Sequence, residues 1–181
     1  MRREVRLSGF GGQGIMLAAV ILGRAAVMYD GKYAVQTQVY GPEARGGASM
    51  AAVVIDTVPI LYPKVSDPDL LVIMSQEGFE KYGAGARRDA RMLVDSGLVL
   101  SRPGCPYLEV PATDDARTVL KKVIVANIVM LGALVEATGV VSREAIERAV
   151  LDSVPKGTEE LNLGALRQGY IRGGEAFHEA A

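Results

Sequence analysis

Val5-Arg6-Leu7 runs into Ser8-Gly9-Phe10-Gly11-Gly12-Gln13-Gly14, and a long apolar stretch, residues 15–28, follows at once. That order reads as strand, glycine turn, helix. Gly9, Gly11 and Gly14 meet the spacing G-x-G-x-x-G. A strand that stops sharply and feeds a helix presents backbone N–H groups and the positive end of a helix dipole, and glycines let a ligand come close to the backbone. The guest such a turn favours is an anion, usually a phosphate. Two other readings stay open. A dinucleotide site also wants an acidic residue at the end of the second strand, roughly 20 residues beyond the turn. Here that strand, residues 33–39, ends in Val39-Tyr40, with Asp30 before it and Glu43 well after it, a departure from the NAD(P) pattern. The turn can also simply pack helix on sheet and bind nothing.

A second segment is Gln36-Thr37-Gln38-Val39-Tyr40-Gly41-Pro42-Glu43-Ala44-Arg45-Gly46-Gly47-Ala48. Gly41-Pro42 forces a turn and Gly46-Gly47 permits backbone closed to other residues, so a shaped loop leaves the strand at Tyr40. Arg45 offers a planar fork of donors to a carboxylate or phosphate, or else pairs with Glu43 to fix the loop. Tyr40 either stacks on a base or a partner's side chain or is half buried at the strand end. If the first two strands are parallel, this loop and the glycine turn emerge on one sheet edge and border one crevice, where ligands of open parallel sheets bind. The candidate ligand-binding residues are therefore Gly9, Gly11, Gly12, Gln13, Gly14, Tyr40, Glu43 and Arg45.

The remaining inventory argues against chemistry carried out by this chain alone. A single cysteine, Cys105, and a single histidine, His178, cannot build a disulfide, a zinc site, an iron-sulfur cluster or a nucleophile-base pair. No catalytic or metal-binding residue is assigned. Lysine and arginine total 20 against 21 aspartates and glutamates, for a net charge of −1, so there is no basic stripe for nucleic acid. Arg24 and Glu136 interrupt the longest apolar runs, and no signal-peptide core follows Arg2-Arg3. A cytoplasmic protein without membrane contact is the expectation.

With 181 residues of which 49% are hydrophobic, one well-cored domain is expected: α/β, three layers, with a mixed, largely parallel sheet and a Gly-rich strand-turn-helix opening. It spans residues 1–172, and residues 173–181 read as a flexible tail. A helix over residues 12–28, apolar nearly all round, needs cover on most sides. Strand three, residues 48–55, follows too closely for a crossover and runs antiparallel to strand two. Residues 70–74 form a strand covered on both faces, a helix over 76–88 follows, and further strands fall at 91–94, 98–100 and 107–110. Ser75, Gln76 and Asp95 sit at strand ends, lining the crevice or merely solvated. Asn127 is nearly the only polar residue from 123 to 135, so it should find hydrogen-bond partners. A surface helix covers 142–154, and from Lys156 onward the chain is glycine-punctuated.

The two motifs together resemble the gamma subunit of the 2-oxoacid:ferredoxin (or acceptor) oxidoreductases, the pyruvate/ketoisovalerate oxidoreductase gamma domain family. The resemblance extends through Tyr62-Pro63-Lys64-Val65, Pro68-Asp69-Leu70-Leu71-Val72, Pro111-Ala112-Thr113 and Asn127-Ile128-Val129-Met130-Leu131-Gly132-Ala133, essentially the whole chain. Asp30-Gly31-Lys32 and Gln36-Thr37-Gln38 ahead of the second motif point to the 2-oxoglutarate branch, although pyruvate, indolepyruvate and branched-chain members share much of the pattern. The resemblance implies an enzyme that decarboxylates a 2-oxoacid on thiamine diphosphate, passes electrons to iron-sulfur clusters and forms an acyl-coenzyme A. It implies alpha, beta and ferredoxin-like delta partner subunits that hold thiamine diphosphate and the clusters, leaving this chain with coenzyme A at its glycine turn. A purely structural assembly subunit is the alternative.

Overall fold

The computed structural model describes residues 1–39, 47–83 and 86–179, the side chain of Val39 excepted. Six strands, β1 (Arg3–Phe10), β2 (Tyr33–Val39), β3 (Ala48–Asp56), β4 (Leu70–Ile73), β5 (Arg91–Asp95) and β6 (Tyr107–Val110), form one sheet in the order β2-β3-β1-β4-β5-β6. β1, β4, β5 and β6 are mutually parallel, and β3 is antiparallel to both β1 and β2. The sheet is mixed and mostly parallel, as expected. Leu70 and Val72 belong to the main core and Leu71 and Ile73 to a second cluster on the opposite face, which is why this strand reads as an unbroken apolar run.

β3 is inserted between β1 and β2. Val39 of β2 and Ser8 of β1 both stand opposite Met50 of β3, so the two strands run the same way and finish at the same sheet edge. At ordinary strand spacing their ends are about 10 Å apart. The loop carrying Tyr40, Glu43 and Arg45 lies outside the described residues.

One face is covered by α1 (Ile15–Arg24), extended by a π-helical turn (Ala25–Tyr29), and by α3 (Ala112–Thr118), α4 (Ala126–Thr138), α5 (Arg143–Leu151) and α6 (Glu159–Gly173). The other carries α2 (Gln76–Gly78) and its π-helical continuation (Phe79–Gly83) over Leu71, Ile73, Met92 and Val94. Every residue of α4 from Ala126 to Val135 is buried. α1 is not enclosed to the same degree, since Leu17, Val20, Val27 and Met28 along it and its extension are exposed.

Two expectations change. Residues 98–100 form no strand: Asp95 closes a turn there, its carbonyl accepting from the N–H groups of Leu98 and Val99 and its carboxylate from Gly97 N. Of the helix expected over 76–88, residues 76–83 are helical and residues 86–88 are not. The glycine-punctuated stretch after Lys156 contains the longest helix among the described residues, α6. Beyond it, Tyr107 and His178 exchange backbone hydrogen bonds of 3.0 and 2.7 Å. His178 thus borders the β6 edge of the sheet.

Candidate functional site

The glycine turn follows β1 directly. Gln13 N–H donates to Phe10 O at 3.3 Å, and the Gln13 side chain closes the turn on itself: Oε1 accepts from Phe10 N at 2.9 Å and Nε2 donates to Met74 O at 2.8 Å. Gly12 and Gly14 have φ of +96° and +74°, conformations that side chains with a Cβ disfavour. Gly14 caps α1, and its carbonyl accepts from Asn127 Nδ2 at 3.1 Å and from Ala18 N at 3.0 Å. Above this turn the first N–H groups of α1 have no partner within the helix, as at any helix start.

Phe10, Gly11, Gly12 and Gln13 form one wall of a cavity of about 420 Å³. The turn after β5 contributes Leu98, α3 contributes Thr113 and Arg117, the approach to α4 contributes Val123 and Ile124, and α4 itself contributes Ala126. The cavity therefore lies at the carboxyl ends of the parallel strands, beside β1, on whose two sides the sheet runs in opposite senses. Arg117 is largely exposed and paired with Asp114 at 3.0 Å. Thr113 donates its hydroxyl to Asp95 Oδ2 at 2.5 Å and its N–H to the same oxygen at 3.1 Å. Burial pushes the Asp95 carboxyl up, against hydrogen bonds from Thr113 and Gly97 that favour its ionised form. Among the described residues the lining thus combines backbone donors, one guanidinium and an apolar wall, and includes no Cys, His, Asp or Glu. In chemical character the described lining matches an anion that carries an uncharged body.

Of the residues singled out from sequence, Gly11, Gly12 and Gln13 reach the cavity, while Gly9 and Gly14 flank it within the turn. Tyr40, Glu43 and Arg45 lie outside the described residues. Ser75 caps α2 by accepting from Gly78 N at 3.0 Å, and Gln76 holds the chain after β5 through Leu100 N at 2.8 Å. Both are structural. Asn127 finds a partner for its Nδ2 but none for its Oδ1 among the described residues. Cys105 is fully buried and burial pushes its thiol up, away from reactive thiolate. Sequence reasoning missed Thr113 and Arg117. Their signal was Pro111 at the end of a strand followed by two polar residues at i, i+4 spacing, one face of a helix starting at the ligand edge.

Residues 4–171 match the family model described as pyruvate ferredoxin/flavodoxin oxidoreductase. The 2-oxoglutarate synthase subunit KorC of Methanocaldococcus jannaschii is 57% identical over 175 residues, covering 94% of this chain and 93% of that protein. Among solved structures, the gamma subunit of a keto/oxoacid ferredoxin oxidoreductase from Geobacter sulfurreducens superposes with a TM-score of 0.89 at 44% identity, over 98% of this chain and 99% of that one. A 2-oxoglutarate:ferredoxin oxidoreductase from Magnetococcus marinus, solved with 2-oxoglutarate, coenzyme A and succinyl-CoA bound, has a TM-score of 0.80 at 18% identity. The match covers 99% of this chain and 33% of that one, a likeness of fold. With its length matched almost end to end, this chain belongs to the pyruvate ferredoxin/flavodoxin oxidoreductase family.

Proposed function

We propose that the chain is the gamma subunit of a 2-oxoglutarate:ferredoxin oxidoreductase, one part of an assembly that converts a 2-oxoacid to its acyl-coenzyme A. The observation that carries this reading is the near full-length identity to 2-oxoglutarate synthase subunits, 57% and 50% in two methanogens. Thiamine diphosphate and the iron-sulfur clusters belong to alpha, beta and ferredoxin-like delta partners. One cysteine in the whole sequence accords with that division, since a cluster takes several thiolates.

The residues present suit coenzyme A. Its phosphates would lie against the N–H groups of Gly11, Gly12 and the start of α1, with Arg117 on the facing wall and Arg45 on the loop after β2 as a second charge. Gly11 and Gly12 have no heavy atom within 4 Å of where a Cβ would stand, so the backbone is open to approach. Leu98, Val123 and Ile124 would receive an apolar portion of the ligand. When bound, coenzyme A supplies the thiol that accepts the acyl group; this chain binds and orients the anionic end. Expression with the neighbouring subunits, followed by affinity purification through this chain, tests the reading. A complex with iron, thiamine diphosphate and 2-oxoglutarate-dependent, coenzyme A-dependent ferredoxin reduction is expected. Purification of this chain alone under those conditions, or a complex active only on a different 2-oxoacid, would refute it.

A further inference from the structure

The glycines of the turn divide into two kinds. A Cβ on Gly9 would collide with the Gln13 carboxamide oxygen and stand 2.9 Å from Ile15 Cδ1, and one on Gly14 would stand 2.5 Å from Asn127 Nδ2. Gly11 and Gly12 meet nothing and line the cavity. Two glycines make room for amide side chains, and two leave the backbone open towards the ligand space.

The amides act at opposite ends of the turn. The Gln13 carboxamide ties the end of β1 to the residue after β4, accepting from Phe10 N and donating to Met74 O. Met74 N–H in turn donates to Ser8 O at 2.8 Å. A glutamate would set a second carboxylate oxygen against Met74 O, and an aspartate or asparagine is too short for the same span. At the other end Asn127, 3% exposed on the buried helix α4, donates to Gly14 O. That bond fixes which way its amide points, because the flipped form would oppose two oxygens. Its Oδ1 remains without a partner among the described residues.

We propose that Gln13 and Asn127 are positioning residues, which clamp the glycine turn at both ends and hold the N–H groups of Gly11 and Gly12 towards the cavity. This rests on the anion site proposed above, and the Gln13 side chain itself does not touch the ligand. Donors already fixed in place bind an anion more tightly than donors that must be ordered on binding.

Three variants test it: Gln13→Met, which keeps length and removes both hydrogen bonds; Gly9→Ala, which pushes the carboxamide from a position that does not line the cavity; and Asn127→Leu. In the full chain, nitrogen-15 relaxation of Gly11 and Gly12 should fall from order parameters of about 0.85 to below about 0.6. In the reconstituted complex, affinity for coenzyme A should fall about tenfold, while pantetheine, which lacks the diphosphate, changes less than about twofold. A loss for coenzyme A in Gln13→Met with none in Gly9→Ala would make Gln13 a direct ligand and overturn the proposal. Unchanged order parameters in all variants that fold would overturn it too. If the wild-type complex binds no coenzyme A, the ligand reading fails separately, and the relaxation measurement alone decides the clamp.

Discussion

At Gly12 a backbone requirement and a ligand requirement coincide, because its φ is +96° and its surroundings are open. Gly12→Asp strains the turn and puts a negative charge where an anion should sit. In the assembled enzyme we expect the apparent KM for coenzyme A to rise ten- to a hundred-fold, on the order of 1.5–3 kcal/mol. Arg117→Ala and Arg45→Ala should act in the same direction; Arg117 does so more weakly, being 59% exposed and already paired. Formation of the thiamine adduct from the 2-oxoacid should change less. Unaltered coenzyme A dependence in variants that assemble normally would reduce the turn to a packing device. A different residue governs pH dependence. Burial pushes Asp115 up, but the Arg172 and Gln168 hydrogen bonds outweigh it and hold the carboxyl below its ordinary value. Because the folded value is depressed, the stabilisation is complete above the unfolded value of about 3.9 and is lost as pH falls through the folded one. Asp115→Asn should therefore cost about 2 kcal/mol near neutral pH. Denaturant titrations of both proteins should converge as pH falls through the depressed folded value, and a gap that persists in strong acid would exclude this ion pair as its source.

At the scale of elements, the crossing of α4 and α6 depends on glycine. A Cβ on Gly169 would run into Val129 O and Ala133 N, and one on Gly173 would lie 2.5 Å from Ala133 O. These are backbone atoms that cannot move aside. Gly169→Ala should force the helices apart and cost about 3 kcal/mol or more, read as a lowered midpoint of thermal unfolding. A change within about 0.5 kcal/mol would mean the helices do not meet this closely. This contact also gives the glycine punctuation after Lys156 its meaning. Glycine counts as a breaker in a local reading, whereas Ala165, Gly169 and Gly173 recur every fourth residue, the spacing of one helix face. That pattern was present but has meaning only with α4 alongside. β1, the turn and α1 were legible because the glycine spacing and the apolar run are local signals. The insertion of β3 between β1 and β2 was not, since sequence specifies that β2 and β3 pair but not which of them lies next to β1.

For the whole molecule, the site was half legible. The turn announces itself, but its facing wall comes from the chain after β5 and β6, about 100 residues downstream, brought there only by the order of the sheet. The surface carries a further message. Leu17, Val20 and Val27 along α1 and its extension, and Val58, Leu61 and Tyr62 after β3, are all exposed, Leu61 at 95%, with a net charge of only −1 to discourage association. Exposed apolar side chains on both of these segments suit contact with another subunit better than water. We therefore expect the isolated chain to self-associate as concentration rises, to contain no iron and to reduce no acceptor. Co-expression with the thiamine-binding and cluster-binding subunits should replace self-association by a defined complex. Sedimentation across about a hundredfold range of concentration, with iron analysis and a spectrum of the anaerobically purified chain, makes the comparison. A chain that stays monomeric throughout and does not join the co-expressed subunits would count decisively against an assembly role. Stoichiometric iron in the isolated chain would contradict the division of cofactors among subunits.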